Sequence, residues 1–201
     1  MTLSTAWFPP GEFFALIAEN SPVYLEACES YRKQSWRNRC RILTANGPMD
    51  LRVPVIHDGT RLITGIRIDW STDWLRQAEY AIDSAYYSSP FFMYYRDELF
   101  GILEQRRELL WDMNLDIIDF FCRKIGIAPR IVFTEDYHKT VEDDWREVLD
   151  PKKPPVGCIR PYWQVFREKF GFVPGLSIMD LLFNEGPESL AYLRSASFSD
   201  R

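Results

Sequence analysis

The chain has 201 residues, 46% of them hydrophobic and 26% charged, which is the balance of a single globular domain spanning residues 1–201. A formal net charge of −5 and a pI near 5.2 argue against general binding to nucleic acid or membrane surfaces. Neither a signal peptide nor an apolar run of the ~20 residues that membrane insertion needs is visible, so we expect a cytoplasmic protein.

The first predicted elements form a β-α-β unit. Residues 3–8 read as a strand that stops at two prolines, residues 11–20 as a helix, and residues 23–28 as a second strand. Such units pair their strands in parallel through a right-handed crossover. Open α/β sheets bind ligands at the carboxyl ends of their strands, so the loop at residues 8–11 is a candidate site edge.

The middle third predicts an antiparallel meander that joins the first unit in one mixed sheet. Residues 36–42 alternate as a strand, Asn46 and Gly47 form a strong turn signal, and residues 51–56 supply a returning strand. Residues 62–68 form a further β-rich run. The alternation places Arg37, Arg39 and Arg41 on one face of the first of these strands.

The C-terminal half is predominantly helical. Apolar spacing predicts a helix after Thr72, another that opens at Pro90, and a third that Gly126 ends. A strand at residues 130–134 follows, and polar residues 136–157 predict a surface excursion or linker. After this segment the sequence predicts three further helices, at residues 161–170, 177–184 and 187–193. The expected fold class is therefore mixed α/β.

No residue pattern in the chain indicates a metal or a cofactor. The four cysteines have no C-x-x-C pair, which excludes a zinc pattern and favours reduced thiols. They are Cys28, Cys40, Cys122 and Cys158. The histidines, His57 and His138, have no partner at metal-ligand spacing. The glycine-rich phosphate loops and the nucleophile elbow of hydrolases are also absent from the sequence.

The most informative segment is YRKQSWRNRCRIL at residues 31–43, which gathers five cationic side chains in an acidic protein. Arg37 and Arg39 are candidates to clamp an anion, because guanidinium groups bond two oxygens at once. Asn38 or Gln34 would orient that anion. The alternative is a solvated strand face whose arginines pair with neighbouring carboxylates.

The C-terminal segment LLFNEGP is a second candidate for the site. Asn184 and Glu185 fit a packed core poorly and could present an amide and a carboxylate to a cleft. The alternative is that this helix junction supplies only capping, while its apolar neighbours close the core.

With these segments the chain resembles the WbqC-like family of bacterial proteins. The strings SWRNRC and LLFNEGP are the most specific, and WFPP near the start, LRVPV and PYWQVF extend the likeness over most of the chain. The resemblance implies a role in bacterial surface-polysaccharide biosynthesis or related sugar modification. Some relatives carry His-Gln where Ser4 to Ala6 lie here, and Asp-Asp where Ala27 and Cys28 lie. Glu26 and Glu29 flank that position and are the candidates to substitute.

Together these observations predict a transferase acting on an anionic activated small molecule, either a nucleotide sugar or an acyl or aminoacyl donor. Glu26 or Glu29 is the candidate general base. The remaining candidates are substrate-binding residues: Trp7, Tyr31, Gln34, Arg37, Asn38, Arg39, Asn184 and Glu185. No cofactor is expected, and a homo-oligomer is compatible with the sequence.

The alternative function is a non-catalytic scaffold that docks a biosynthetic partner. It predicts an exposed patch of Tyr and Trp side chains, with the arginines held in internal ion pairs. A pocket that joins Trp7, Glu26, Arg37 and Arg39 would instead favour the enzyme.

Overall fold

A computed structural model describes residues 1–198 of the chain and confirms the mixed α/β class. Strand β1 (Thr2–Leu3), helix α1 (Gly11–Glu19) and strand β2 (Val23–Leu25) form the predicted β-α-β unit, with the two strands parallel. Both strands are shorter than predicted. The chain leaves β1 after Leu3 because the next backbone groups find other partners; for example, the Trp7 N–H donates to the Trp36 carbonyl at 2.8 Å.

The basic segment begins as a short 3₁₀ helix, Trp36–Asn38, and becomes strand β3 only at Arg39–Thr44. Ser35 starts the 3₁₀ turn, because its hydroxyl accepts a hydrogen bond from the Arg37 N–H. The predicted strand is thus wrong over residues 36–38 and right from Arg39 onward. In consequence Arg37 does not share the face of Arg39 and Arg41.

Strand β4 (Gly47–Arg52) returns antiparallel to β3, with Arg39 opposite Arg52. This hairpin forms its own two-stranded sheet, which corrects the expectation of one mixed sheet. The meander also stops there, because residues 62–68 form the 3₁₀ turn Ile63–Gly65 and isolated bridges instead of a strand.

Helices α2 (Trp74–Tyr86), α3 (Phe92–Glu104) and α4 (Leu110–Ile125) pack behind the hairpin and the sheet. Gly126 ends α4 in a left-handed conformation with φ of 85°, as its sequence position predicts. Strand β5 (Ile131–Phe133) then pairs in parallel with β2, which completes a three-stranded parallel sheet in the order β1-β2-β5.

Residues 136–156 form an irregular segment that is anchored on the sheet by buried Trp145 and Arg146. Strand β6 (Gly157–Cys158) follows, and then the short helix α5 (Arg167–Phe170). The helix predicted over residues 161–170 therefore forms only in its last turn.

The C-terminal elements are helices α6 (Ile178–Glu185) and α7 (Ser189–Arg194) and strand β7 (Ser197–Phe198), which pairs with β6. Ser177 caps α6 through its hydroxyl, as the sequence predicts. The core that these elements close is rich in aromatic side chains, several of them in mutual contact: Trp7, Phe8, Phe13, Phe14, Phe92, Phe120, Phe121 and Phe183.

Candidate functional site

The carboxyl ends of the parallel strands meet where the β-α-β unit predicts a ligand-binding edge. Ser4 follows β1, Glu26 follows β2, and Thr134 follows β5. The Thr134 hydroxyl lies 2.5 Å from Glu26 Oε1 and also accepts the Ala27 N–H at 2.9 Å. Polar side chains from three strands therefore converge at this edge, but they bond to one another.

Glu29 and Arg37 form a buried ion pair at the same edge. Arg37 Nε donates to Glu29 Oε1 at 2.7 Å, and Arg37 Nη2 donates to Glu29 Oε2. Ser4 completes the group, because its hydroxyl accepts from Arg37 Nη2 at 2.7 Å and lies 2.9 Å from Glu29 Oε2. Arg37 and Glu29 are each about 5% exposed, so water screens this pair little.

Glu26 forms the second buried ion pair of the edge. Arg146 Nη1 donates to Glu26 Oε2 at 2.7 Å, while its other nitrogens bond Asp144 at 2.9 and 2.6 Å. Glu26 Oε1 accepts the Cys28 N–H at 3.0 Å. Both oxygens of Glu26 are therefore engaged.

We call these six residues the edge cluster: Ser4, Glu26, Glu29, Arg37, Thr134 and Arg146. The cavity that adjoins it has a volume of only about 20 Å³, too small for more than about one water molecule. Glu26 and Glu29, which the sequence predicts as general bases, are therefore each bonded to an arginine, and the cavity beside them is too small for a substrate.

A much larger cavity, of about 430 Å³, lies on the other side of the basic segment, within the usual size range of small-molecule sites. We call it the basic cavity. Its walls are formed by Tyr31, Lys33, Gln34, Asn38, Arg39, Arg52, Val53, Pro54, Val55, His57, Thr72 and Trp74. The three formal charges in these walls, on Lys33, Arg39 and Arg52, are all positive.

The β3–β4 hairpin positions two of these charges. Arg39 and Arg52 are direct cross-strand neighbours, and like charges in that register repel unless an anion lies near them. Asp50 supplies part of the compensation, since Arg39 Nη1 donates to its Oδ2 at 3.0 Å and Arg41 Nε to its Oδ1 at 2.8 Å. Among residues 1–198, Lys33 and Arg52 form no ion pair.

Two residues of the basic-cavity wall each carry a buried N–H donor that lacks a partner within the described part of the chain. The donors are Arg39 Nε and Trp74 Nε1. Buried donors are rarely left unpaired in folded proteins, and those that are need an explanation. Both atoms are almost completely buried, so a ligand in the cavity would bond them only if the wall moved.

The polar residues of the cavity wall differ in how firmly they are held. The Asn38 amide donates to the Val53 carbonyl at 2.8 Å, which fixes it against β4. Gln34 has φ of 58°, a left-handed conformation that costs free energy for a residue with a side chain. Burial raises the pKa of Tyr31 to about 12 despite Arg37 and Arg39 nearby, so its hydroxyl stays a neutral donor.

The structure brings only part of the predicted site together. Tyr31, Gln34, Asn38 and Arg39 line the basic cavity, whereas Arg37, Glu26 and Glu29 belong to the edge cluster. Trp7 is fully buried in the core and makes ring contacts to Phe8 and Trp74. The basic cavity includes Arg39 but not Trp7, Glu26 or Arg37, and the small cavity beside the edge cluster includes only Arg37 of these four.

The LLFNEGP segment lies apart from both places. The Asn184 amide donates to the Asp180 carbonyl one helical turn earlier, and Glu185 Oε1 accepts the Trp163 N–H at 3.1 Å. Gly186 has φ of 52°, and a Cβ there would come within 2.6 Å of Phe91. These contacts give the segment a packing role, as the alternative interpretation of the sequence holds.

Sequence reasoning missed Lys33, Arg52, His57 and Trp74 as members of the cavity wall. Arg52 could have been found from the hairpin register, but the turn closes at Thr44 and Gly47, one residue before the Asn-Gly signal implies. His57 and Trp74 come from a loop and a helix start, and no local pattern links them to the basic segment.

Three further properties of the described residues concern metal binding, the state of the cysteines and the length of the helices. No group of three or more His, Cys, Asp or Glu side chains in residues 1–198 could hold a metal ion. The four cysteines are free thiols. None of the helices within this range is long and apolar enough to cross a membrane.

The chain belongs to the WbqC-like protein family, whose model matches residues 5–153, and this confirms the resemblance seen in the sequence. It is also similar to "Uncharacterized protein Rv1507c" of Mycobacterium tuberculosis (strain ATCC 25618 / H37Rv). The identity is 29% over an alignment of 218 positions, which covers 94% of each of the two chains. No solved structure matches this chain.

Proposed function

We propose that this protein is a transferase that acts on an anionic activated small molecule bound in the basic cavity. The observation that carries the proposal is the wall of that cavity, in which each of the three formal charges is positive although the whole chain has a net charge of −5. A cavity of this kind concentrates anions, and its low-dielectric walls strengthen their attraction. The substrate would be a nucleotide sugar or an acyl or aminoacyl donor.

Different walls of the cavity would contact different parts of the ligand. Lys33, Arg39 and Arg52 would hold the phosphate or carboxylate, with arginine supplying paired N–H donors. The apolar wall of residues 53–55 would contact the uncharged part of the ligand. Convergent polar groups on a mostly apolar surface are typical of small-molecule sites.

The proposal gives the edge cluster a supporting role. Glu26 and Glu29 each accept an arginine and lie outside the basic cavity, so they would hold the basic segment in place instead of taking a proton. Arg37 connects the edge cluster to helix α4, because the Asn114 amide of that helix donates a hydrogen bond to the Arg37 carbonyl at 2.9 Å. We further propose that the protein acts in the cytoplasm, in surface-polysaccharide or related sugar modification, which agrees with its family and its free thiols.

The binding part of the proposal is tested by thermal shift and calorimetry with inorganic pyrophosphate, UDP-glucose and acetyl-coenzyme A. A ligand at a hundredfold excess over Kd stabilises the folded state by about 2.7 kcal/mol, so weak binding is measurable. The double change Lys33→Gln/Arg52→Gln should weaken binding at least tenfold. The matched control is Arg130→Gln/Lys139→Gln, which removes two exposed charges outside the cavity. Equal binding by all three proteins would contradict the proposal.

The transferase part needs a separate measurement. Phosphorus NMR of UDP-glucose incubated with the protein and candidate acceptors would show UDP release, and the Lys33→Gln/Arg52→Gln protein should release it more slowly. A protein that binds the donor tightly but never releases UDP would keep the binding site and refute transfer from that donor.

A second candidate, the non-catalytic scaffold, is favoured by one specific surface. Tyr80, Tyr87 and Tyr94 are 76%, 72% and 79% exposed, and Tyr80 and Tyr87 share a face because they are seven positions apart. The arginines of the basic segment also pair internally, as this candidate predicts. Binding of a second biosynthetic protein that Tyr80→Ser/Tyr87→Ser abolishes, without binding of any anionic probe, would favour this candidate over the transferase.

A further inference from the structure

A third cavity, of about 120 Å³, lies beneath the irregular segment that precedes β6. We call it the Glu12 cavity. Glu12 and Arg41 line it from α1 and β3, and Asp150 and Lys153 line it from the covering segment, together with Pro154 and Pro155. The basic cavity and the edge cluster share none of these residues, so this is a separate place in the fold.

Glu12 is a buried carboxyl group that no other side chain satisfies. It is 4% exposed, and among the described residues its side chain forms neither a hydrogen bond to another side chain nor an ion pair. It therefore differs from Glu26 and Glu29, which are equally buried but each bonded to an arginine. A buried carboxyl group that no cation neutralises is rare and often marks a functional site.

Arg41, Asp150 and Tyr162, which lie around Glu12, each bond a side chain other than Glu12. Arg41 bonds Asp50 through two nitrogens at 2.8 and 3.3 Å, and Asp150 accepts from Arg32 at 2.9 Å. Tyr162, which lines the neighbouring space beside Glu12, donates to Asp180 at 2.8 Å. With no cation in contact, burial raises the pKa of Glu12 to about 7, opposed only by its own backbone N–H at the start of α1.

The Glu12 cavity also contains cationic N–H donors that are free to bind an anion. Lys153 donates to the Glu147 carbonyl at 2.8 Å and has no carboxylate partner within residues 1–198. Arg41 bonds Asp50 through Nε and Nη2, which leaves Nη1 available. The Glu12 cavity thus combines one unpaired carboxyl group with two cations that have free donors.

We propose that the Glu12 cavity binds a small zwitterion, a free amino acid. The ammonium group would pair with Glu12, and the carboxylate would take the free donors of Lys153 and Arg41. The volume corresponds to about four water molecules, which limits the ligand to a small side chain. This inference does not depend on the function proposed for the basic cavity.

The binding test uses calorimetry of the full chain with glycine and L-alanine. Propionate, which lacks the amine, and ethylamine, which lacks the carboxylate, are the comparison probes. We expect both amino acids to bind at least tenfold more tightly than either comparison probe. Equal binding of propionate, or no binding of the amino acids, would overturn the proposal.

Proton release separates a direct ion pair from a structural role of Glu12. At pH 6 the carboxyl group is mostly protonated, so pairing with an ammonium group should release close to one proton per ligand. At pH 8.5 it is already ionised, and the release should fall to near zero. Affinity should therefore rise with pH up to about 7, and calorimetry in two buffers of different ionisation enthalpy measures the proton number.

Three variants complete the experiment. Glu12→Gln keeps the shape of the side chain and should lose both the tenfold affinity and the proton release. Lys153→Gln should weaken binding but keep the proton release, because Glu12 remains. Glu19→Gln, an exposed position on the same helix, is the control and should change neither. Pyrophosphate binding measured on the same proteins reports the basic cavity separately, so failure of one proposal is distinguishable from failure of the other.

Discussion

The edge cluster and the basic cavity each contain an arginine of the basic segment but differ in how their charges are satisfied. In the edge cluster each carboxylate accepts a hydrogen bond from an arginine, and the cavity that adjoins the cluster holds about one water molecule. In the basic cavity, Lys33 and Arg52 have no anionic partner among the described residues, and the space is about 430 Å³. The sequence alone made the two regions one candidate site.

The comparison shows that charge density in a sequence does not by itself locate a ligand site. Lys33 and Arg37 are four positions apart, yet Arg37 is held in a buried ion pair with Glu29, whereas Lys33 lines the basic cavity and has no ion-pair partner among the described residues. The informative property is whether a charge has a partner inside the protein. That property separates groups that hold the fold from groups that can hold a substrate.

The largest expected effect is on stability, from breaking the edge cluster. Arg37→Ala leaves Glu29 as a buried, uncompensated carboxylate, and we expect a loss of about 3–5 kcal/mol in the free energy of unfolding. Urea denaturation followed by tryptophan fluorescence measures this loss. The double change Arg37→Met/Glu29→Met should recover most of it, because no buried charge is left unpaired. An Arg37→Ala protein of normal stability would contradict the structural role.

The next effect is the pH dependence caused by Glu12, a buried carboxyl group without an arginine. Because its pKa is raised from 4.5 to about 7 in the fold, the unfolded chain ionises first, and Glu12 lowers stability as pH rises through this window. Glu12→Gln should match the wild type near pH 4.5. It should be more stable by about 3 kcal/mol above pH 7.5. Denaturation midpoints from pH 4.5 to 8.5 measure the difference, and a constant offset would refute the assignment.

A smaller effect is expected at Asp50, which compensates part of the positive charge beside the basic cavity. Asp50→Asn frees Arg39, so pyrophosphate should bind about fivefold to tenfold more tightly, on the order of 1 kcal/mol for a partly exposed pair. Stability should fall by less than about 1 kcal/mol. Titration calorimetry checks the gain, with Asp58→Asn as the control, which affects the outlying Arg67 pair and the hydrogen bond from the Thr60 N–H. Unchanged or weaker binding would mean that Arg39 does not face the ligand.

The smallest stability effect should come from the basic cavity itself. Arg52→Ala removes an exposed charge without a partner, so the free energy of unfolding should change by no more than about 0.5 kcal/mol. Pyrophosphate binding should weaken and depend less on salt concentration, since one charge contact is lost. A loss of stability as large as that of Arg37→Ala would show that the two regions do not differ as described.

The sequence by itself determined the local elements of this fold. Apolar spacing placed the inward stripe of α2, glycine placed the end of α4, and Pro9 with Pro10 marked the approach to α1. The β-α-β unit and its parallel pairing followed from the order of these elements. Such signals lie within a few residues of one another, because helical periods, caps and turns are short-range interactions.

Only the tertiary structure decided which charged side chains pair with one another and which remain unpaired. Glu26 is paired by Arg146, 120 positions later, and Glu12 is covered by a segment that begins near residue 148. A single short-range contact, the Ser35 cap, turned Arg37 away from the strand and towards Glu29. The free energy of a buried charge depends on every group that folding brings around it, and those groups come from distant parts of the chain.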